Sequence, residues 1–317
     1  MDKKLKIRLV DATMRDGGLV NDFNFEDEFV KALYETNLRT GVDYMEFGYK
    51  ASKRLFDPKQ FGKWKFCDDD DIRKIVGENK TDLKIAVMAD VGRCDFREDI
   101  RPRSESPIDM VRVATYLDTI REATYMIDYI ADLGYEVSCN IMGISHAGQE
   151  EIHDAMMELY GTSADVVYLV DSYGALYPQD TKLLMEQARE DAFFTKKQLG
   201  MHAHNNLQMA FANTILAQGY GANWMDGTYA SMGRGAGNCA MELLLGYMEH
   251  LGETRYHMEP ALPFIDRYMN GLREKGVVWG PDLQYLVTGF KNEHPRAAIQ
   301  FTKDGRKDHE AFYKEVW

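Results

Sequence analysis

The sequence predicts an α/β fold: a (β/α)8 barrel of the TIM type carrying a helical C-terminal appendage. Three observations carry that expectation. Short β-branched and apolar runs alternate with longer amphipathic stretches from the start to about residue 250. There are eight such runs, the number of parallel strands that closes a barrel when helices make the crossovers. No GxGxxG follows the first run, which argues against an open dinucleotide-binding sheet.

Taken in order, the expected strands are 7–12, 44–48, 84–89, 110–115, 136–141, 166–170, 200–203 and 224–228. Helical periodicity falls between most of them, at 25–39, 117–133, 150–160, 181–190 and 207–218. Two connections are long. Residues 49–82 hold an acidic run, Asp68–Asp71, that predicts a helix start and a helix ending near Val76. Residues 90–108 carry Arg93, Arg97, Arg101 and Arg103 and read as a loop on the strand-end face, hinting at a negatively charged substrate. After about residue 251 the rhythm stops, and 265–275 and 282–290 read as helical. The expected division is a catalytic barrel over 1–250 and a helical appendage over 251–317.

The chain has 317 residues, 45% hydrophobic and 28% charged, with a net charge of -13. An acidic surface repels phosphate backbones and anionic lipid, so neither nucleic acid nor a membrane is an expected partner. An anionic substrate would need a local cationic site. Cys67, Cys94, Cys139 and Cys239 are scattered without a CxxC pair, as suits a reducing cytoplasm. No signal peptide and no apolar run of about 20 residues is visible, so a soluble cytoplasmic protein is expected.

The chemistry begins at GMHAHNN, residues 200–206. Residues i and i+2 of a strand face the same way, so His202 and His204 form half of a metal site, or else two hydrogen-bonded histidines at a strand end. The first strand supplies the missing carboxylate: VDATMRDGG, residues 10–18, sets Arg15 and Asp16 before two glycines expected to make a tight turn. Strands seven, eight and one are neighbours in a closed barrel, which brings Asp16 towards the two histidines. SMGRGAGN, residues 231–238, adds a glycine-rich backbone able to meet an anion and, in Asn238, a carbonyl oxygen as a further ligand.

Together DATMRDGG, YMEFGYK, VVYLVDSYGALYP and the stretch from GMHAHNN through SMGRGAGN resemble the metal-dependent barrel lyases. These are the HMG-CoA lyase-like, or DRE-TIM metallolyase, superfamily, and the similarity is greatest to 4-hydroxy-2-oxovalerate aldolase. The resemblance covers residues 8–245. It implies Asp16, His202 and His204 as metal ligands with Asn238 a fourth, and a divalent ion, manganese or magnesium with zinc also admissible. It further implies Arg15 as the residue that steadies enolate charge, Glu46 as its orienting carboxylate, and Asp171 and Ser172 as substrate contacts. The implied reaction makes or breaks a carbon–carbon bond of a small 2-oxo acid, with an aldehyde as the other partner.

One position departs from the pattern. Where the aldolases have a proton-abstracting histidine, this chain has Leu19. A retro-aldol reaction needs a base, and His146, His294 and Tyr173 are the candidates. A Claisen-type acyltransferase using acyl-CoA and a non-catalytic metal-binding barrel are the alternatives. A homo-oligomer is compatible with such a barrel, and the appendage does not match the segment through which these aldolases partner a dehydrogenase.

Overall fold

A computed structural model describes residues 6–316. The strands are β1 (Arg8–Asp11), β2 (Tyr44–Tyr49), β3 (Lys84–Asp90), β4 (Met110–Thr115), β5 (Glu136–Met142), β6 (Val166–Asp171), β7 (Gln198–Ala203) and β8 (Trp224–Gly227). All pair in parallel in sequence order, and β8 closes on β1 with Val10 opposite Asp226. The helices are α1 (Thr13–Asn21), α2 (Asp27–Thr40), α3 (Asp69–Val76), α4 (Phe96–Asp99), α5 (Ile120–Asp132), α6 (Gln149–Glu158), α7 (Pro178–Thr195), α8 (Ala210–Gly219) and α9 (Met241–His250). The expected TIM barrel is the observed fold.

The alternation of each strand explains the two packing layers. Inward positions Val10, Tyr44, Ala86, Met110, Val166, Tyr168, Val170 and Trp224 fill the barrel interior. The intervening outward residues, among them Leu9, Met45, Val87, Val111 and Leu169, join the helices in one large core. A parallel sheet buried on both faces needs apolar residues in both registers, which is why these strands read as nearly continuous apolar runs. Towards the strand C-termini the inward register turns polar, with Glu46, Arg112, Asn140, His202 and Asp226 all buried. That change of composition marks the site.

Two expectations about loops need correction. The segment after β1 is the helix α1, and Gly17 and Gly18 lie inside it with ordinary negative φ. Close packing accounts for them: a Cβ on Gly18 would lie 2.2 Å from the Phe23 ring, and one on Gly17 would lie 2.7 Å from Met232 Sδ. Of the arginines of 90–108, Arg93 stays at the mouth, 4.0 Å from Asp90, but the other three do not, because the segment beyond it runs down the barrel. At the far end the Arg101 carbonyl accepts from the Tyr135 hydroxyl and the Arg103 amide donates to the Leu133 carbonyl, and Arg97 stacks on Phe96 and Tyr129. The acidic run does begin α3 as expected, its carboxylates sitting in the first turn where the helix dipole favours them.

Beyond α9 come α10 (Ala261–Phe264), a π-helical turn over Ile265–Met269, α11 (Asn270–Glu274), α12 (Leu283–Phe290), α13 (Arg296–Lys303) and α14 (His309–Glu315). Tyr256, Ala261, Phe264, Met269 and Trp279 join the main core, and Phe264 packs on Phe29 of α2. The last three helices have their own cluster around Tyr285, Val287, Phe301 and Phe312, with Ala236 of the glycine-rich loop inside it. They therefore lie against the loops after β5 to β8, at the barrel mouth. Among the described residues no helix is long and apolar enough to cross a membrane.

Candidate metal centre and substrate cleft

The turn out of β1 is held by Asp11. Its carboxylate accepts from the Thr13 amide (2.9 Å), the Thr13 hydroxyl (2.5 Å) and Asn37 (2.7 Å). This anchor lets α1 start at once and sets Arg15 and Asp16 over the barrel axis. From β7, His202 and His204 project into the same space. Asp16 Oδ2 lies 3.5 Å from Nε2 of each histidine, and one ligand atom from each residue falls within 4.8 Å of the others. All three are buried.

The protonation states suit ligation. Burial pushes the Asp16 carboxyl up, but His204, Arg15 and His202 outweigh it and hold the group well below the usual carboxylate range. Burial takes the His204 imidazole down to about 3 against the pull of Asp16, so it stays neutral. His202 Nδ1 lies 2.9 Å from Asp226 Oδ2 and Nε2 lies 3.5 Å from Asp16; against burial and Arg15 these two carboxylates raise the imidazole, and a cation bound at Nε2 would take the place of its proton. Asn238 pairs with His204 in an isolated bridge, and its Nδ2 donates to the Met232 carbonyl (3.1 Å). Its Oδ1 is buried without a hydrogen-bond partner. A Cβ on Gly233 would collide with Asn238 Nδ2 and lie 2.7 Å from Asp16 Oδ1, so only glycine lets these groups approach. A carboxylate, two imidazoles and an orphaned amide oxygen fit a divalent cation.

Arg15 is clamped beside this set. Its Nε donates to Glu46 Oε2 (2.9 Å), Nη1 donates to Asp16 Oδ2 (2.6 Å), and Nη2 stands 3.5 Å from the His202 ring nitrogens. Two residues that the sequence reading missed complete the network. Arg112, wholly buried, donates to Glu46 Oε2 (2.8 Å) and to Asp226 Oδ2 (2.7 Å). One guanidinium thus ties the partner of Arg15 to the partner of His202. The signal was available: a charged residue at an inward position of MVRVAT or WMDG must be paired once buried. Asp226→Asn is expected to weaken Mn²⁺ affinity by roughly 10- to 100-fold in a calorimetric titration, because the carboxylate that orients His202 is lost. Unchanged affinity would remove that role.

The cleft above these residues is also lined by Leu19, Tyr49, Met88, Tyr116, Ser172 and Arg234. Ser172 lies in it, its Oγ accepting from the Gly143 amide (3.0 Å). Asp171 does not line it. It occupies the outward register of β6, where its carboxylate accepts from the Ala175 and Leu176 amides (3.1 and 3.2 Å). His146, Tyr173 and His294 form a row of tilted and edge-on rings outside the cleft lining, with centroids 5.0 and 5.8 Å apart. His146 Nε2 meets the Asn292 carbonyl at 2.7 Å. His294 lies 2.8 Å from Arg234 Nη1, and burial, then Arg234 and Arg296, take it down to about 3. Arg234 was also missed. Its amide donates to Asp16 Oδ1 (3.1 Å) and its guanidinium to the Ser172 carbonyl (3.0 Å), making it the cleft cation that the 90–108 arginines were expected to supply.

The HMGL-like family model matches residues 6–266. The chain belongs to the HMGL-like family. Its relatives include the 4-hydroxy-2-oxovalerate aldolase of Bacillus cereus, 31% identical over 275 residues, covering 86% of this chain and 76% of the relative. The enzyme of that name from Thermus thermophilus is 30% identical over 247 residues, 77% of this chain and 69% of the relative. Among solved structures, the N-terminal domain of a Bacteroides vulgatus protein superposes with a TM-score of 0.78 at 25% identity, covering 94% of this chain and 97% of that one. The HMG-CoA lyase of Brucella melitensis shares the fold, with a TM-score of 0.67 at 15% identity over 85% of this chain and 99% of that one. Membership of the HMGL-like family places the chain among the metal-dependent carbon–carbon lyases.

Proposed function

We propose that this HMGL-like protein is a divalent-metal-dependent aldolase that cleaves a small 4-hydroxy-2-oxo acid to pyruvate and an aldehyde. The observation that carries the reading is the convergence of Asp16, His202 and His204 on one cleft with Arg15 clamped beside them. Asp16, His202 and His204, joined by Asn238, would hold the metal; manganese or magnesium suits the mixed oxygen and nitrogen donors, and zinc is compatible. A divalent ion there supplies Lewis-acid stabilisation of the developing enolate charge.

The chain's own groups account for the rest. Carbon–carbon cleavage next to a carbonyl leaves a negative oxygen, and a preorganised guanidinium stabilises it without reorganising. Glu46 and Asp16 occupy Nε and Nη1 of Arg15, so Nη2 is the nitrogen left to donate to that oxygen. Arg234 and Ser172 line the same cleft, where they can take the substrate carboxylate. Asp171 serves indirectly: it braces the 174–176 turn, whose Gly174 packs against the His204 backbone.

Protein stripped with EDTA is expected to release no pyruvate from 4-hydroxy-2-oxopentanoate and to regain activity when Mn²⁺ is added, followed by coupling to lactate dehydrogenase. Pyruvate release that is absent with Mn²⁺, Mg²⁺ and Zn²⁺ alike would sink the reading. A requirement for acyl-CoA would mark the acyltransferase alternative, for which no feature of the cleft speaks.

A further inference from the structure

We propose that Asp90 is the general base that takes the substrate's 4-hydroxyl proton, the task that Leu19 leaves open. The inference rests on the aldolase reading. Leu19 lines the cleft beside Arg15 and Asp16 and has no proton to exchange. The three candidates in the outer row of rings are poorly suited. His146 spends Nε2 on the Asn292 carbonyl, His294 is held neutral and weakly basic between Arg234 and Arg296, and burial first of all keeps the Tyr173 phenol protonated.

Asp90 ends β3 on the inward register of Ala86 and Met88, one step above Met88, which lines the cleft. Its side chain is 14% exposed, and its nearest cation, Arg93 Nη1, stands 4.0 Å away. Among the described residues its carboxylate accepts no hydrogen bond, and Oδ1 is buried without a partner. A buried carboxylate oxygen left unpaired is costly; Asp90 adjoins the cleft-lining Met88 without lining the cleft itself, and a substrate hydroxyl that reached it would supply the missing partner.

The surroundings keep that oxygen free while holding the charge. Lys65 Nζ sits over four rings, at 4.5 Å from Phe56, 4.6 Å from Tyr49, 4.9 Å from Phe23 and 5.7 Å from Phe61. This box meets the ammonium with aromatic faces instead of a carboxylate. Tyr49 forms its wall towards the cleft. Burial pushes Asp90 upward, with Glu46 adding to it, while Arg93, Lys65 and Arg15 oppose; the balance leaves a carboxyl more basic than a free one. Higher basicity is what a general base needs.

The step balances. Asp90 accepts the hydroxyl proton, the O–H pair forms the aldehyde C=O, and the C3–C4 bond breaks. Its electrons form the enolate, whose oxygen lies at Arg15. A proton delivered to C3 completes pyruvate and, when it comes from Asp90, restores the carboxylate.

The test compares wild type with Asp90→Asn in three measurements. Cleavage of 4-hydroxy-2-oxopentanoate needs the hydroxyl proton removed; decarboxylation of oxaloacetate reaches the same enolate without one. Calorimetric binding of 2-oxopentanoate, which lacks the hydroxyl, reports on the folded site. Cleavage is expected to fall at least about a hundredfold further than decarboxylation, with the binding constant held within about twofold. A variant that cleaves at the wild-type rate, or that loses both reactions equally, overturns the assignment to Asp90. A wild type inert in both reactions instead overturns the aldolase reading beneath it.

Discussion

Replacing His202 by alanine is expected to abolish Mn²⁺ uptake and to lower pyruvate release by about a thousandfold or more, since a bound metal supplies several kcal/mol of charge stabilisation. Three effects combine at this side chain. The ligand at Nε2 is lost from a set in which the donors already lie within 4.8 Å of one another. Asp226 loses the imidazole 2.9 Å away and keeps the Arg112 guanidinium. Asp16 loses one of the groups that hold it ionised. Calorimetry with Mn²⁺ and the coupled pyruvate assay report the first and the total. His146→Ala serves as the control, because that ring lies outside the cleft lining. Retained metal binding in His202→Ala, in a protein with an unchanged denaturation midpoint, would place the metal elsewhere.

Arg15→Lys should show a different signature: kcat lower by on the order of a hundredfold or more, a few kcal/mol of barrier, with metal affinity changed far less. Lysine keeps the positive charge but has one nitrogen where Arg15 uses a planar fork. Arginine satisfies Glu46 through Nε and Asp16 through Nη1 and still offers Nη2 to the cleft. A single ammonium cannot span Glu46, Asp16 and a substrate oxygen at once, and Glu46 Oε2 would keep only Arg112. The kinetic pattern that separates enolate stabilisation from simple binding is a fall in kcat without a matching rise in KM. A rise in KM alone would make Arg15 a substrate-binding group.

Much of the site was legible because the inward direction in a strand is a matter of parity. His202 and His204 share a face whatever the rest of the chain does, and Asp16 follows the first strand closely enough to reach the same mouth. The same parity would have excluded Asp171, which stands between inward Val170 and cleft-lining Ser172. It would also have flagged Arg112, Asp226 and Asp90, each an ionisable residue on the inward register of an apolar strand. Arg234 was hidden differently, since its segment drew attention for its glycines. Gly17 and Gly18 misled for a physical reason: glycine permits a turn, but it equally permits a close approach, and only the positions of Phe23 and Met232 distinguish the two.

What the sequence by itself determined was therefore the barrel, its eight strands and the side on which each inward residue points. These follow from local periodicity, which acts over a few residues. Only the tertiary structure decided which inward groups meet: Arg112 with both Glu46 and Asp226, Arg234 with Asp16 and His294, and Asp90 with no hydrogen-bond partner among the described residues. Those pairings depend on how far each strand is staggered against the next when the sheet closes. Closure is a joint property of all the strands, and no single segment encodes it. The late helices reach the mouth for the same kind of reason, packing Tyr285 and Pro295 against Gly235, a contact across 50 or more residues of chain that periodicity cannot see.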